Sequence, residues 1–207
     1  MIFSEYEFYH TNEYKKLKLL YTNSDNDNDL HAKFSMLEGD ITKGIKWIWA
    51  DNKYTLSYFS NFLESINIYE KIKHFTMSTE EFIIRGASFI VLNQSEVINS
   101  EFHYDAISQY DNHYTNIITL IFPLYPLEKD MGGLEYKIND SETKIYDYDV
   151  NKIIMWDSCK FVHRTQPYKL NYPKKRVLVS VNLSTNEKWA VNTVNKCLKY
   201  QGNNLNV

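Results

Sequence analysis

The sequence predicts an α+β protein, a β sandwich or barrel braced by N-terminal helices. Three observations point there. Apolar residues recur at helical spacing in the first third of the chain. After residue 80 the pattern breaks into short β-rich runs separated by Asn, Asp, Gly, Pro and Ser. The last stretch opens with the spacing of a helix cap. The 207 residues are 43% hydrophobic and 15% aromatic, enough to build one full core. The chain therefore reads as a single domain, 1–207. Within it, residues 1–78 form a mainly helical support, 79–183 the β core, and 184–207 a C-terminal helix and tail.

Residues 12–21 carry Leu17, Leu19 and Leu20 on a polar background, a short helical stretch. The run 23–29 is a polar breaker and reads as an exposed loop. Its Asp25, Asp27 and Asp29 do not make a calcium loop of the EF-hand kind. Counted from Asp25 the sixth position is Leu30, and from Asp27 it is Ala32, where that loop needs Gly. Trp47, Ile48 and Trp49 form an apolar anchor for the helices. From 55 to 75, Leu56, Phe59, Phe62, Leu63, Ile66, Tyr69 and Ile72 fall in steps of three and four, one amphipathic helix. Strands are expected over 82–92, 116–124, 133–138, 151–156, 160–165 and 176–183. In the last of these, Arg176, Leu178, Ser180 and Asn182 share one face. Ser184 and Glu187 have the spacing of a capping box, so 189–200 closes the chain as a helix.

Charge and cysteine usage narrow the function classes. The formal net charge of −3 disfavours a dedicated nucleic-acid binder, which would carry a basic excess. No apolar run reaches the roughly 18 residues that span a bilayer. The opening MIFSEYEFYH has neither a basic nor an apolar signal region. Cys159 and Cys197 cannot make a disulfide framework, so a reducing compartment, the cytoplasm, is expected. Neither nucleic acid nor membrane is expected as a partner.

One constellation in the β half carries chemistry. His103 and Asp105, two apart on an extended segment, point to the same side. His163 follows on a later strand. Arg176, one of only three arginines, heads the next strand thirteen residues further on. Two imidazoles and one carboxylate on one face of an octahedral iron leave positions open for ligands. An arginine fork binds carboxylates in a bidentate way, which suits a dicarboxylic acid.

The pattern of His103-X-Asp105, distant His163 and strand-leading Arg176 resembles the Fe(II)/2-oxoglutarate-dependent oxygenases. Gly132-Gly133 at a strand entry and Pro167 four residues after His163 are similar to the prolyl-hydroxylase-like branch. The resemblance covers about residues 82–183. It implies a double-stranded β-helix core (jelly-roll, cupin-like), with the N-terminal helices packed on its larger sheet. It also implies His103, Asp105 and His163 as Fe(II) ligands, Arg176 as anchor of the 2-oxoglutarate co-substrate, and O2 as oxidant. The activity implied is hydroxylation of a C–H bond of an amino acid, peptidyl residue or small metabolite, with release of succinate and CO2. Related halogenases lack the carboxylate that Asp105 supplies, so hydroxylation is favoured over halogenation. Tyr104, Tyr110 and His113 lie near enough in sequence to line the mouth.

Two departures follow from the same comparison. Some members carry a Ser two residues after the arginine as a second carboxylate donor, where this chain has Leu178. Thr119 and Tyr110 are the candidates for that role, and Ser180 shares the Arg176 face. The thirteen-residue gap makes 168–175 a longer hairpin loop. Cys159, beside a His-carboxylate site, is expected as a packed small side chain. The rival reading is a cupin-like protein that holds a metal or a small acid without turnover.

Overall fold

The fold grows from strands that alternate between a core face and a site face. It was described from a computed structural model, which covers residues 2–5, 8–25, 34–38, 45–97, 101–107, 115–201 and 203. Along β10 (Tyr168–Ser184) the side chains of Val177, Val179, Val181 and Leu183 enter one core, while Arg176, Leu178, Ser180 and Asn182 face the other way. Such a period-two pattern, with both faces buried, specifies the register of a central strand.

In chain order the remaining elements are β1 (Ile2–Glu5), α1 (Asn12–Asp25), β2 (Phe34–Glu38), β3 (Ile45–Ala50), α2 (Lys53–Ser65), α3 (Ile68–Thr76), β4 (Ile83–Val97), β5 (Ile117–Pro123), β6 (Leu134–Lys137), β7 (Thr143–Tyr146), β8 (Lys152–Asp157), β9 (His163–Thr165) and α4 (Lys188–Tyr200). A 3-10 turn, Lys129–Met131, precedes β6. The strands form a seven-stranded antiparallel sheet, β1-β8-β5-β10-β4-β3-β2, and a three-stranded one, β7-β6-β9. An antiparallel bridge from His103 to His163 adds the 101–107 segment beside β9. From β4 onward the chain therefore swings between the large sheet and the small one at almost every connection.

Three layers result. One face of the large sheet packs on the helices through Leu17, Phe59, Phe62, Leu63, Ile72, Phe89, Phe122 and their neighbours. Each such side chain, buried in full, contributes about 1.5–3 kcal/mol. The other face packs on the small sheet through Ile121, Leu134, Tyr146, Ile154, Trp156 and Leu178. The helix α4 lays Ala190, Val194 and Leu198 on Trp49, Ala106 and Ile117 at one end.

The first third is less helical than its sequence predicts. Trp47, Ile48 and Trp49 lie in a strand, β3, paired with β4, and from it Ile48 packs on the helical core and Trp49 on α4. The expected helix over 55–75 is two. Asn52 caps α2, accepting from the Thr55 N–H at 2.8 Å, and Asn67 (φ 54°) breaks the chain before α3. Asn tolerates this left-handed conformation better than most residues, and it turns the second helix. The capping box at 184–187 does not form, because Ser184 Oγ accepts from the buried Arg85 Nε at 2.9 Å. The 168–175 stretch, expected as a loop, is the start of β10, with a register shift between Lys169 and Lys174. Most of the aspartate-rich run lies outside the described residues. Among the described residues no helix is long and apolar enough to cross a membrane.

Candidate metal centre

His103, Asp105 and His163 come together, each offering one ligand atom, with those atoms all within 4.8 Å of one another. Two segments supply them. The His103 N–H donates to the His163 carbonyl at 2.9 Å, and the His163 N–H returns the bond at 3.1 Å. This exchange fixes the two imidazoles side by side, their ring centroids 4.7 Å apart. Asp105 follows two residues after His103, on the same side of the extended segment.

The second atoms of the three side chains are already committed. His103 Nδ1 lies 2.9 Å from the Glu101 carbonyl and His163 Nδ1 lies 3.2 Å from the Phe161 carbonyl. A carbonyl only accepts, so the proton sits on Nδ1 and the Nε2 lone pair is left for a metal. Asp105 Oδ2 accepts from the Trp156 indole N–H at 2.8 Å, and Oδ1 stands 3.5 Å from His163 Nε2. Outer partners of this kind orient ligands and set their tautomers. Burial pushes the His163 pKa down, with His103 adding to the effect and Asp105 and the Phe161 carbonyl opposing it. The imidazole thus stays neutral, as a ligand must. Two imidazoles and a carboxylate are a donor set that suits non-heme Fe(II).

Arg176 lies in the layer between the sheets, 1% exposed. Its Nη1 donates to the carbonyls of Met131 and Gly132, each at 3.1 Å, and its Nε has no partner. Among the described residues no carboxylate pairs with it. Burial works against its charged form, while Tyr148 and Tyr168 favour it. A guanidinium keeps its charge even so. A buried cation without an anion is costly, so the donor set fits an acid bound there.

Gly132-Gly133 builds this arrangement. Gly132 has φ 71°, and a Cβ there would sit 2.9 Å from the Gln166 carbonyl oxygen. A Cβ on Gly133 would run into the Tyr146 carbonyl. The close approach of three backbone segments aims the two carbonyls at Arg176.

Thr119 is not brought to this anchor. It pairs with Asn182, six residues along β10 from Arg176, about 20 Å at ~3.3 Å per residue. Its hydroxyl is engaged by Ser158 Oγ at 2.8 Å and Asn182 Oδ1 at 3.2 Å. Tyr110 and His113 lie outside the described residues. Tyr104 is exposed on the segment that carries the metal cluster, and Ile107 beyond it is 80% exposed. Cys159 packs on the α4 cluster as a small side chain, its thiol pKa pushed up to about 12, chiefly by burial.

Trp156, Tyr148 and Tyr168 join the site without having been singled out in the sequence. Trp156 had a signal: a tryptophan on the inward face of β8 needs an acceptor for its indole N–H. The tyrosines had none, being two among seventeen.

No protein-family model and no curated protein matches the chain. Solved structures do. A prolyl-4-hydroxylase of Pseudomonas putida superposes with TM-score 0.59 at 11% identity, over 89% of this chain and 92% of its own. A Trichoplax adhaerens prolyl hydroxylase, in complex with a hypoxia inducible factor oxygen degradation domain peptide fragment, gives TM-score 0.59 at 15% identity, over 92% and 86%. HygX from Streptomyces hygroscopicus, with nickel, 2-oxoglutarate and hygromycin B bound, gives 0.61 at 6% identity, over 90% and 83%. In fold, the chain resembles the 2-oxoglutarate/Fe(II) oxygenases, prolyl hydroxylases among them.

Proposed function

We propose that this chain is an Fe(II)/2-oxoglutarate-dependent dioxygenase on a double-stranded β-helix, with the N-terminal helices and the C-terminal helix as parts of one domain. The observation that carries the reading is the coupling of a two-histidine, one-carboxylate cluster to a buried arginine that lacks a carboxylate partner. The alternation of the chain between two antiparallel sheets supports the jelly-roll. His103, Asp105 and His163 would hold the iron, and Arg176 the far carboxylate of 2-oxoglutarate. Bound iron would supply the activation of O2 that couples 2-oxoglutarate decarboxylation to hydroxylation of a C–H bond, with succinate and CO2 released.

The chain's own groups set the conditions for that chemistry. Trp156 turns Asp105 so that Oδ1 faces the metal position. The Glu101 and Phe161 carbonyls hold the imidazoles in the liganding tautomer. Trp156 and Phe161, with rings 4.9 and 5.4 Å from that of His163, keep water from its buried side. The peptide-bound neighbour supports a peptidyl residue as substrate, and the exposed Tyr104 and Ile107 leave the near rim open to one. An amino acid or small metabolite is the other substrate class this reading allows. Two free cysteines are in keeping with the cytoplasm.

The test is anaerobic titration of Fe(II) and 2-oxoglutarate into metal-free protein, read by optical absorption. A metal-to-ligand charge-transfer band is expected in wild type and absent in His163→Ala. Metal uptake without the band would favour a non-catalytic cupin-like binding protein. No metal uptake would reject the reading.

A further inference from the structure

We propose that Arg164 is a positioning residue for the metal centre: it clamps the Phe102 ring and so holds His103 and Asp105 against His163 before a metal arrives. The assignment rests on the metal-site reading and deepens it.

The clamp lies on the reverse side of the ligand bridge. His103 and His163 face each other in an antiparallel bridge, so Phe102 and Arg164 are the next pair along it and point the other way. The Arg164 guanidinium carbon stands 4.4 Å from the Phe102 ring centroid. Glu101, His103 and Tyr104 are exposed, whereas Phe102 among them is half-buried. Arg164 is itself fixed. Its Nε donates to Glu135 Oε2 at 2.8 Å, and Glu135 Oε1 accepts from Thr143 Oγ1 at 3.1 Å. Glu135 and Arg164 lie opposite each other where β6 pairs with β9. The contacts therefore run from the 101–107 segment through β9 and β6 to β7.

Arginine suits this place in a way lysine does not. A guanidinium is flat, so it can lay a face on an aromatic ring while an edge nitrogen bonds a carboxylate. An ammonium is a point charge. Lys137, with Nζ 5.2 Å from the same ring centroid, brings charge there but no plane. The clamp matters because the backbone holds the segment lightly. It is tied by the two His103–His163 bonds and by the Ala106 N–H to the Ser158 carbonyl. Two of the three proposed ligands ride on it. If the segment were docked only about a tenth of the time, apparent metal affinity would fall roughly tenfold, since binding must first restore the docked form. A cation–π contact over a half-buried ring is strong enough to make that difference.

The experiment measures Co(II) affinity, by competition with a chromophoric chelator, on the full chain and four variants: Arg164→Met, Phe102→Leu, the two combined, and Phe102→Tyr. In Arg164→Met and in Phe102→Leu, affinity is expected to fall by roughly tenfold. The combined variant should lose no more than either alone, since one contact is removed in every case. Phe102→Tyr keeps the ring and the wild-type affinity. Hydrogen exchange of metal-free Arg164→Met should show faster amides at His103 and Ala106, with protection restored by Co(II). Urea midpoints in chelator report any loss of packing separately. Lower midpoints with wild-type Co(II) affinity overturn the assignment and leave the metal site intact. So do losses that add in the combined variant, an equal loss in Phe102→Tyr and Phe102→Leu, or unchanged exchange in Arg164→Met. Wild type that takes up no Co(II) rejects the metal-site reading, and the assignment with it.

Discussion

Replacing Trp156 with Phe removes one hydrogen bond from the candidate metal centre and leaves every proposed ligand in place. The bond lost is the 2.8 Å donation from the indole N–H to Asp105 Oδ2. A hydrogen bond to a charged acceptor contributes about 1.5–3 kcal/mol. At about 1.4 kcal/mol per decade, metal affinity should fall by roughly 10- to 100-fold. That range agrees with the effect of removing outer partners elsewhere. The smaller ring also opens a cavity, since Trp156 is fully buried against Ile154, Phe161 and His163. The cavity destabilises metal-free and metal-bound protein alike, so it lowers the unfolding midpoint and cancels from the affinity. Competition between the protein and a chromophoric chelator for Co(II), beside urea unfolding, separates the two effects. A lower unfolding midpoint with wild-type affinity would refute the reasoning: Trp156 would then be packing alone, and Asp105 would be oriented by something else.

Two further predictions read other parts of the site. Gly132→Ala forces a side chain into φ 71°, ψ 151° with its Cβ 2.9 Å from the Gln166 oxygen, so stability should drop by about 1–3 kcal/mol from conformation alone. The Arg176 carbonyl acceptors move with it, and 2-oxoglutarate affinity should fall more than metal affinity, as calorimetry would show. The folded metal-free protein resists protonation of His163, because burial lowers its pKa. The unfolded chain protonates near the ordinary value of about 6.5, so stability present above that pH is lost as the pH falls towards the folded-state pKa. Urea midpoints in chelator should therefore decline on acidification below about 6.5, and His163→Gln should flatten the decline.

Much of the site was legible because its residues are scarce or obey a simple period. His103 and Asp105 share a side through the two-residue repeat, and Arg176 stands out among three arginines. The face shared by Arg176, Leu178, Ser180 and Asn182 appears in the structure as read. What the sequence could not supply is register. Thr119 and Arg176 both point between the sheets, yet the pairing of Thr119 with Asn182 puts them six residues apart along β10. Competition is the other hidden quantity. Ser184 has the spacing of a cap, but Arg85, Thr185 and Asn186 form a buried hydrogen-bond set that takes its hydroxyl. The short β7, exposed at three of its four residues, is too short to show an alternating pattern and is held by its pairing with β6.

The two halves of the candidate site differ in how firmly the fold holds them. Arg176 sits in β10, a strand of 17 residues paired on both sides and backed by the helical core. His163 opens a strand of three residues, and the segment with His103 and Asp105 is tied by two backbone bonds to His163 and one from the Ala106 N–H to the Ser158 carbonyl. The anchor is therefore set by the large sheet, while the metal ligands depend on a few local bonds. A metal bound by all three ligands would add a cross-link where the backbone supplies least, and its binding energy would be felt as stability of the small sheet. A dicarboxylate reaching from that metal to Arg176 would then connect the less constrained part of the site to the more constrained one. The physical logic puts the metal first: without it, only the far carboxylate has a firm place to bind.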